Sequence, residues 1–159
     1  MKNEEALRQQ VAKVLDWGEA HVDFDKALSD LPLEQQGRIA AGLPYSAWQL
    51  LEHMRIALWD ILEFTRGSQH TSPKWPEGYW PATVAPPDDG AWQRSVDSFQ
   101  DDLEGMRKLI ADPARDLFRP LAHGTGQTLL REALLAADHN AYHLGQLVLV
   151  RKALAAWPE

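Results

Sequence analysis

The sequence predicts an all-α protein, a four-helix bundle, on three observations. Apolar residues recur at three- and four-residue spacing through four long segments. No segment alternates with period two, and no Asn-Gly-type hairpin signal appears. Proline collects in the connections between the periodic segments.

The first helix places Leu7, Val11, Val14, Gly18, His21, Asp25 and Leu28 on one stripe, with Pro32 just past its end. The second opens at "YSAWQ", where Ser46 and Gln49 have capping-box spacing, and runs to Gly67. The third follows "PPDDG". Its Trp92, Val96, Phe99, Leu103, Met106 and Ile110 keep the alternation until Asp112-Pro113. The fourth opens near Thr125 or Thr128 and continues to about Ala155.

Length and charge bound the function. A chain of 159 residues suits a single domain over 1–159, large enough for a real core. With 16 Lys+Arg against 23 Asp+Glu, the net charge of −7 argues against nucleic-acid or anionic-membrane partners. No Cys is present, so the protein supplies neither a thiolate ligand nor a thiol nucleophile. Its charged, amphipathic opening residues do not read as a signal peptide, and no apolar run is long enough to span a bilayer. A cytoplasmic location is the expectation.

The connection between helices two and three, "SQHTSPKWPEGYWPATVAPPDD", is long for a tight antiparallel hairpin, where about 2–8 residues is usual. Such a segment can run the length of a bundle and make helices two and three parallel. Its Trp75, Tyr79 and Trp80 either pin the loop to the bundle or rim a pocket; Trp75 and Trp80 are expected to line the substrate side.

One segment, "ADHNAYHLGQLVLV", asks for a chemical explanation. Residues four apart lie about 40° apart around a helix, so His139 and His143 point the same way. Glu132 and Gln146 fall on nearly the same line, at the edge of the apolar arc. A single buried histidine ordinarily bonds a carbonyl or carboxylate. An i, i+4 pair is also a natural bidentate metal clamp. On the apolar side of helix two, His53 is flanked by Gln49 and Asp60, while Arg55, Glu52 and Glu63 are read as outward-facing. Two polar stripes on two amphipathic helices favour facing each other, and His53 becomes a candidate third ligand.

"LLEHM" on helix two, with "SPKWPEGYWP" and "LAHGTGQTLLREALLAADHNAYHLGQL", resembles the DinB/YfiT-like superfamily of metal-binding bundles over almost the whole chain. The resemblance implies an up-down-down-up bundle with a long crossover between helices two and three. It implies a divalent metal on His53, His139 and His143, and a homodimer. Characterised members include transferases that use bacillithiol or mycothiol, and a mycothiol-dependent maleylpyruvate isomerase. A metal-dependent S-transferase using a low-molecular-weight thiol is therefore the leading expectation for this chain.

Two rivals stay open. In a metal-dependent hydrolase, Glu132 and Asp60 are the carboxylates closest in helical phase to the histidines. A stress-associated metal-binding protein needs no turnover at all. An all-imidazole site suits zinc or nickel first, with manganese, iron and copper also open. Gln49, Gln146 and His21 complete the pocket candidates. His21 is weighed as a buried histidine bonded to a carboxylate, a pocket residue or a fourth ligand. His70 and His123 are read as loop-pinning residues, His123 the nearer to the pocket. The end of helix four, "LVLVRKALAAW", is apolar over much of its circumference, so part of it suits a dimer seam.

Overall fold

The computed structural model describes residues 2–16 and 18–157. The described residues form helices and no strand: α1 (Lys2–Val14), α2 (Phe24–Leu28), α3 (Leu33–Gln36), α4 (Ala47–Arg66), α5 (Ala91–Ala111) and α6 (Leu129–Ala153), with a 3-10 turn at Glu77–Tyr79. The four long helices, α1, α4, α5 and α6, enclose a core of Leu, Met, Phe and Ala side chains that includes Leu51, Met54, Phe99, Met106, Ala136 and Leu147.

Local chemistry explains the long-helix boundaries. Ser46 Oγ accepts from Gln49 N, and Gln49 Oε1 accepts from Ser46 N, a closed capping box that starts α4. Thr128 caps α6 by accepting from Arg131 N at 3.1 Å. Asp112 ends α5 with an extended backbone before Pro113.

The first helix is shorter than its stripe suggests. It ends at Val14, and Asp23 caps a separate short helix by accepting from Lys26 N at 2.8 Å. Gly18 disfavours helix by its backbone entropy, and a strong N-cap downstream offers the chain a competing start. The polar members of the expected stripe, His21 and Asp25, are exposed.

Contacts along the helices give their directions. Glu52 meets Ser95, while Leu62 and Arg66 crowd Gly105, so α4 and α5 run the same way. A Cβ at Gly105 would lie 2.8 Å from Arg66 Nη2 and 2.9 Å from Leu62 Cδ2, so those side-chain ends lie over the bare glycine where the two helices meet. On α6, His143 meets His53, whereas His123, ahead of that helix, bonds the Phe64 carbonyl near the end of α4. Hence α6 runs opposite to α4. Parallel α4 and α5 need the crossover of residues 67–90, which is fastened back onto α4. Ser46 Oγ donates to Val84 O at 2.6 Å, and Trp48 Nε1 donates to Thr83 Oγ1 at 3.2 Å.

Two buried arginines staple helix ends. Arg8 of α1 donates to the carbonyls of Ile110, Asp112 and Arg115, closing orphan acceptors at the end of α5. Arg151 of α6, 1 % exposed, donates to the Ala27 and Ala156 carbonyls at 2.5 and 3.1 Å. Glu52 also differs from its expected outward position. It is buried against α5, takes both Arg55 and the Ser95 hydroxyl, and these bonds outweigh the burial that would raise its pKa, holding the carboxyl below its usual range.

Removing Arg8 leaves carbonyls without their charged donor, at about 1.5–3 kcal/mol for such a bond. Arg8→Met should therefore lose about 2–3 kcal/mol in urea unfolding, with an unchanged m-value. A loss under about 0.5 kcal/mol, the usual surface-substitution range, would show that the staple is ornamental.

Candidate metal centre

Three imidazoles meet between α4 and α6. His53 and His143 are buried and His139 is partly buried; one nitrogen from each lies within 4.8 Å of the others. The converging atoms are all Nε2: His53 to His143 is 3.1 Å, and His139 to His53 is 3.2 Å. Nitrogens about 2.0–2.1 Å from a tetrahedral zinc stand about 3.3–3.4 Å apart, so the two His53 separations are within a few tenths of an ångström of those between ligands of one ion.

Protons make the arrangement more specific. His53 Nδ1 lies 2.8 Å from the Tyr79 carbonyl, which can only accept, so the proton of the neutral ring is on Nδ1 and Nε2 carries a lone pair. His143 Nδ1 lies 2.8 Å from Gln146 Oε1. With that amide oxygen toward the ring, His143 Nε2 is a lone pair as well. The 3.1 Å contact then sets two acceptors face to face, an arrangement a cation between them converts from repulsion to attraction. The donor set therefore fits a divalent ion, which His53, His139 and His143 could hold.

Electrostatics agree. Burial pushes the His53 and His143 imidazoles below the usual histidine range. His139 is pushed down to about 4, by burial first and then by its two histidine neighbours. Near neutral pH all three rings are neutral, the state a metal ligand requires.

The crossover holds His53 in place. The Trp80 ring lies flat on it, with centroids 4.0 Å apart and planes 1° from parallel, and Tyr45 stacks on the far face of this pair at 4.2 Å from Trp80. Tyr79, whose carbonyl takes the His53 proton, is itself tied by its hydroxyl to Asp60 at 2.5 Å. Asp60 also bonds His70 Nε2 at 2.6 Å. Burial and the Asp60 charge push the Tyr79 phenol up to about 12, so it stays a donor.

The other sequence candidates fall elsewhere. Asp60 is engaged by Tyr79 and His70, and the buried Glu132 is paired with Arg131 at 2.7 Å; neither adds an atom to the histidine group. Gln49 is used in the α4 cap. Trp75 is 69 % exposed and reaches inward only as far as an edge contact with Tyr79. His21 is exposed, bonded to the Val22 carbonyl and set beside Ala141 and Gly145 on another face of α6, so it stands apart from the triad. His123 caps α4 and does not approach the histidines. Sequence reasoning gave Tyr79 no role of its own at the site; its carbonyl contact with His53 spans 26 residues and has no local signature.

The lowered histidine pKa values have a sign. Between about pH 6.5 and 4 the unfolded chain binds protons that the folded rings resist, so the metal-free protein loses stability as pH falls through that window. Urea midpoints of chelator-treated protein at pH 7 and pH 5 should show the drop, and His139→Gln should flatten it. An unchanged slope in that variant would place the acid sensitivity elsewhere.

No curated protein and no solved structure matches this chain. Residues 17–147 match the sequence model of the DinB superfamily, and the chain belongs to that superfamily.

Proposed function

We propose that this protein holds one divalent ion on the Nε2 atoms of His53, His139 and His143 and works as a metal-dependent S-transferase with a low-molecular-weight thiol. The observation that carries the reading is the face-to-face pair of unprotonated Nε2 atoms, His53 and His143, at 3.1 Å. A bound divalent ion supplies positive charge that lets a coordinated thiol ionise near neutral pH.

The carboxylates favour thiol transfer over hydrolysis. A hydrolase calls for a base beside the metal-bound water, yet Asp60 and Glu132 are both spent on other partners. A coordinated thiol, far more acidic than water, releases its proton to solvent and needs no such base. Without Cys in the chain, the sulfur arrives with the cosubstrate. Its thiolate forms the new carbon–sulfur bond as the electrophile's leaving group departs with its electron pair. Trp80 shields His53 from water on one ring face, and the exposed Trp75 offers an apolar rim for the electrophile. Zinc or nickel suits three imidazoles best. A cytoplasmic setting, where small thiols stay reduced, matches this chemistry.

A second copy of the chain is part of the proposal. Leu135, Tyr142 and Leu149 are exposed at seven-residue intervals along α6, and Tyr142 touches His143 edge-on. A homodimer seam there would border the metal centre.

Two experiments test this. Purified protein should carry close to one divalent ion per chain, and Ala at any of the three histidines should lower affinity sharply. In a cobalt- or nickel-substituted sample, a small thiol should add a sulfur-to-metal charge-transfer band that His143→Ala abolishes. A halogenated aromatic offered with a panel of thiols should then be conjugated, more weakly by Trp75→Ala at unchanged metal content. No thiol effect with fast water exchange would move hydrolysis to first place; a metal closed to both would leave a non-catalytic role. Separately, sedimentation should show a dimer that Tyr142→Glu with Leu149→Glu converts to monomer.

A further inference from the structure

Two of the three ligand histidines have an acceptor for the ring proton, Tyr79 O for His53 and Gln146 Oε1 for His143. The third does not. His139 Nδ1 is buried without a hydrogen-bond partner. The adjacent residue, Asn140, is 0 % exposed, and both its Oδ1 and Nδ2 lack partners. Each buried polar atom left unpaired costs about 1–3 kcal/mol, so three of them on adjacent residues at the histidine group call for a physical account.

Metal binding supplies one. With its Nε2 free, His139 can keep its proton there, directed at the bare Nε2 of His53 3.2 Å away. Once Nε2 becomes a ligand, the neutral ring must carry its proton on Nδ1. Metal-bound histidines almost always hand that proton to an outer partner, and losing the partner typically costs 10–100-fold in affinity.

We infer that Asn140 is the positioning residue for His139, its amide oxygen taking the Nδ1 proton when Nε2 binds the ion. The amide thus stands ready in a dry site, unpaired until the ring changes tautomer. This inference rests on the metal reading above and deepens it: each ligand ring has a neutral oxygen acceptor of its own, from the crossover, from α6 one turn on, and from α6 next door.

The test uses zinc affinity, measured by competition with a chromophoric chelator, for the parent, His139→Ala, Asn140→Leu and Asn140→Asp. Asn140→Leu should bind zinc about 10–100-fold more weakly. Its metal-free stability should equal or exceed the parent's, because it removes two unpaired polar atoms while keeping the volume. Asn140→Asp restores an acceptor at the same place and should bind zinc at least as tightly as the parent. In zinc-loaded parent, NMR should find a slowly exchanging Nδ1 proton on His139 that Asn140→Leu abolishes. If Asn140→Leu does not fold, Asn140→Ala against Asn140→Asp gives the same comparison. Zinc affinity within twofold of the parent in Asn140→Leu, with His139→Ala strongly weakened, overturns the inference alone. Equal affinity in His139→Ala overturns the metal reading beneath it.

Discussion

Lone pairs aimed at lone pairs must be forced together, and the architecture around His53 and His143 does the forcing. The Tyr79 carbonyl fixes the tautomer of His53, and the Trp80 ring fixes its plane. Gln146, one turn along α6, does the same for His143. Neither constraint would survive a loose bundle. The close approach of α4 and α5 at Gly105, together with the crossover bonds at Ser46 and Trp48, keeps helix and loop in one register. Much of the chain can be read as scaffolding for that one repulsive contact, whose cost a cation removes.

The outer partners share a chemical character. Tyr79 offers a backbone carbonyl and Gln146 an amide; neither carries a charge. Carboxylates are nearby in sequence, yet Asp60 reaches the centre only through Tyr79, and Glu132 faces Arg131. A ligand set of neutral rings backed by neutral acceptors leaves a divalent ion's charge uncompensated by the protein. Loaded with such an ion, the centre would favour an anion over a neutral guest, within a chain whose own net charge is −7.

Sequence carried the long helices well because their signals are local. Ser46 with Gln49, Thr128, and Asp112 before Pro113 mark ends within one turn of the residues that make them. Helical phase also sufficed to bring His139 and His143 to one face. It failed where a stripe continued across a break, since the spacing of Gly18, His21 and Asp25 mimics a helix that Asp23 instead restarts. Long-range pairing was equally invisible. Glu52 reads as a surface acid until Ser95 and Arg55 are seen around it, and nothing local to Arg8 or Arg151 announces carbonyl partners over a hundred residues away. Gln49 lay on the right line for a pocket, but the helix cap claimed it first.

The flat stack of Trp80 on His53 has a kinetic side. An imidazole pressed against an indole and tethered through Nδ1 can swing away only if residues 79 and 80 move with it. Those residues belong to a crossover bound at Asp60, Thr83 and Val84, so the motion is a lifting of the loop and not a rotamer hop. Side-chain flips take nanoseconds or less, whereas collective loop openings run to microseconds and beyond. The residence time of whatever occupies His53 thereby becomes a property of the crossover: affinity is written in the helices, and exchange in the loop.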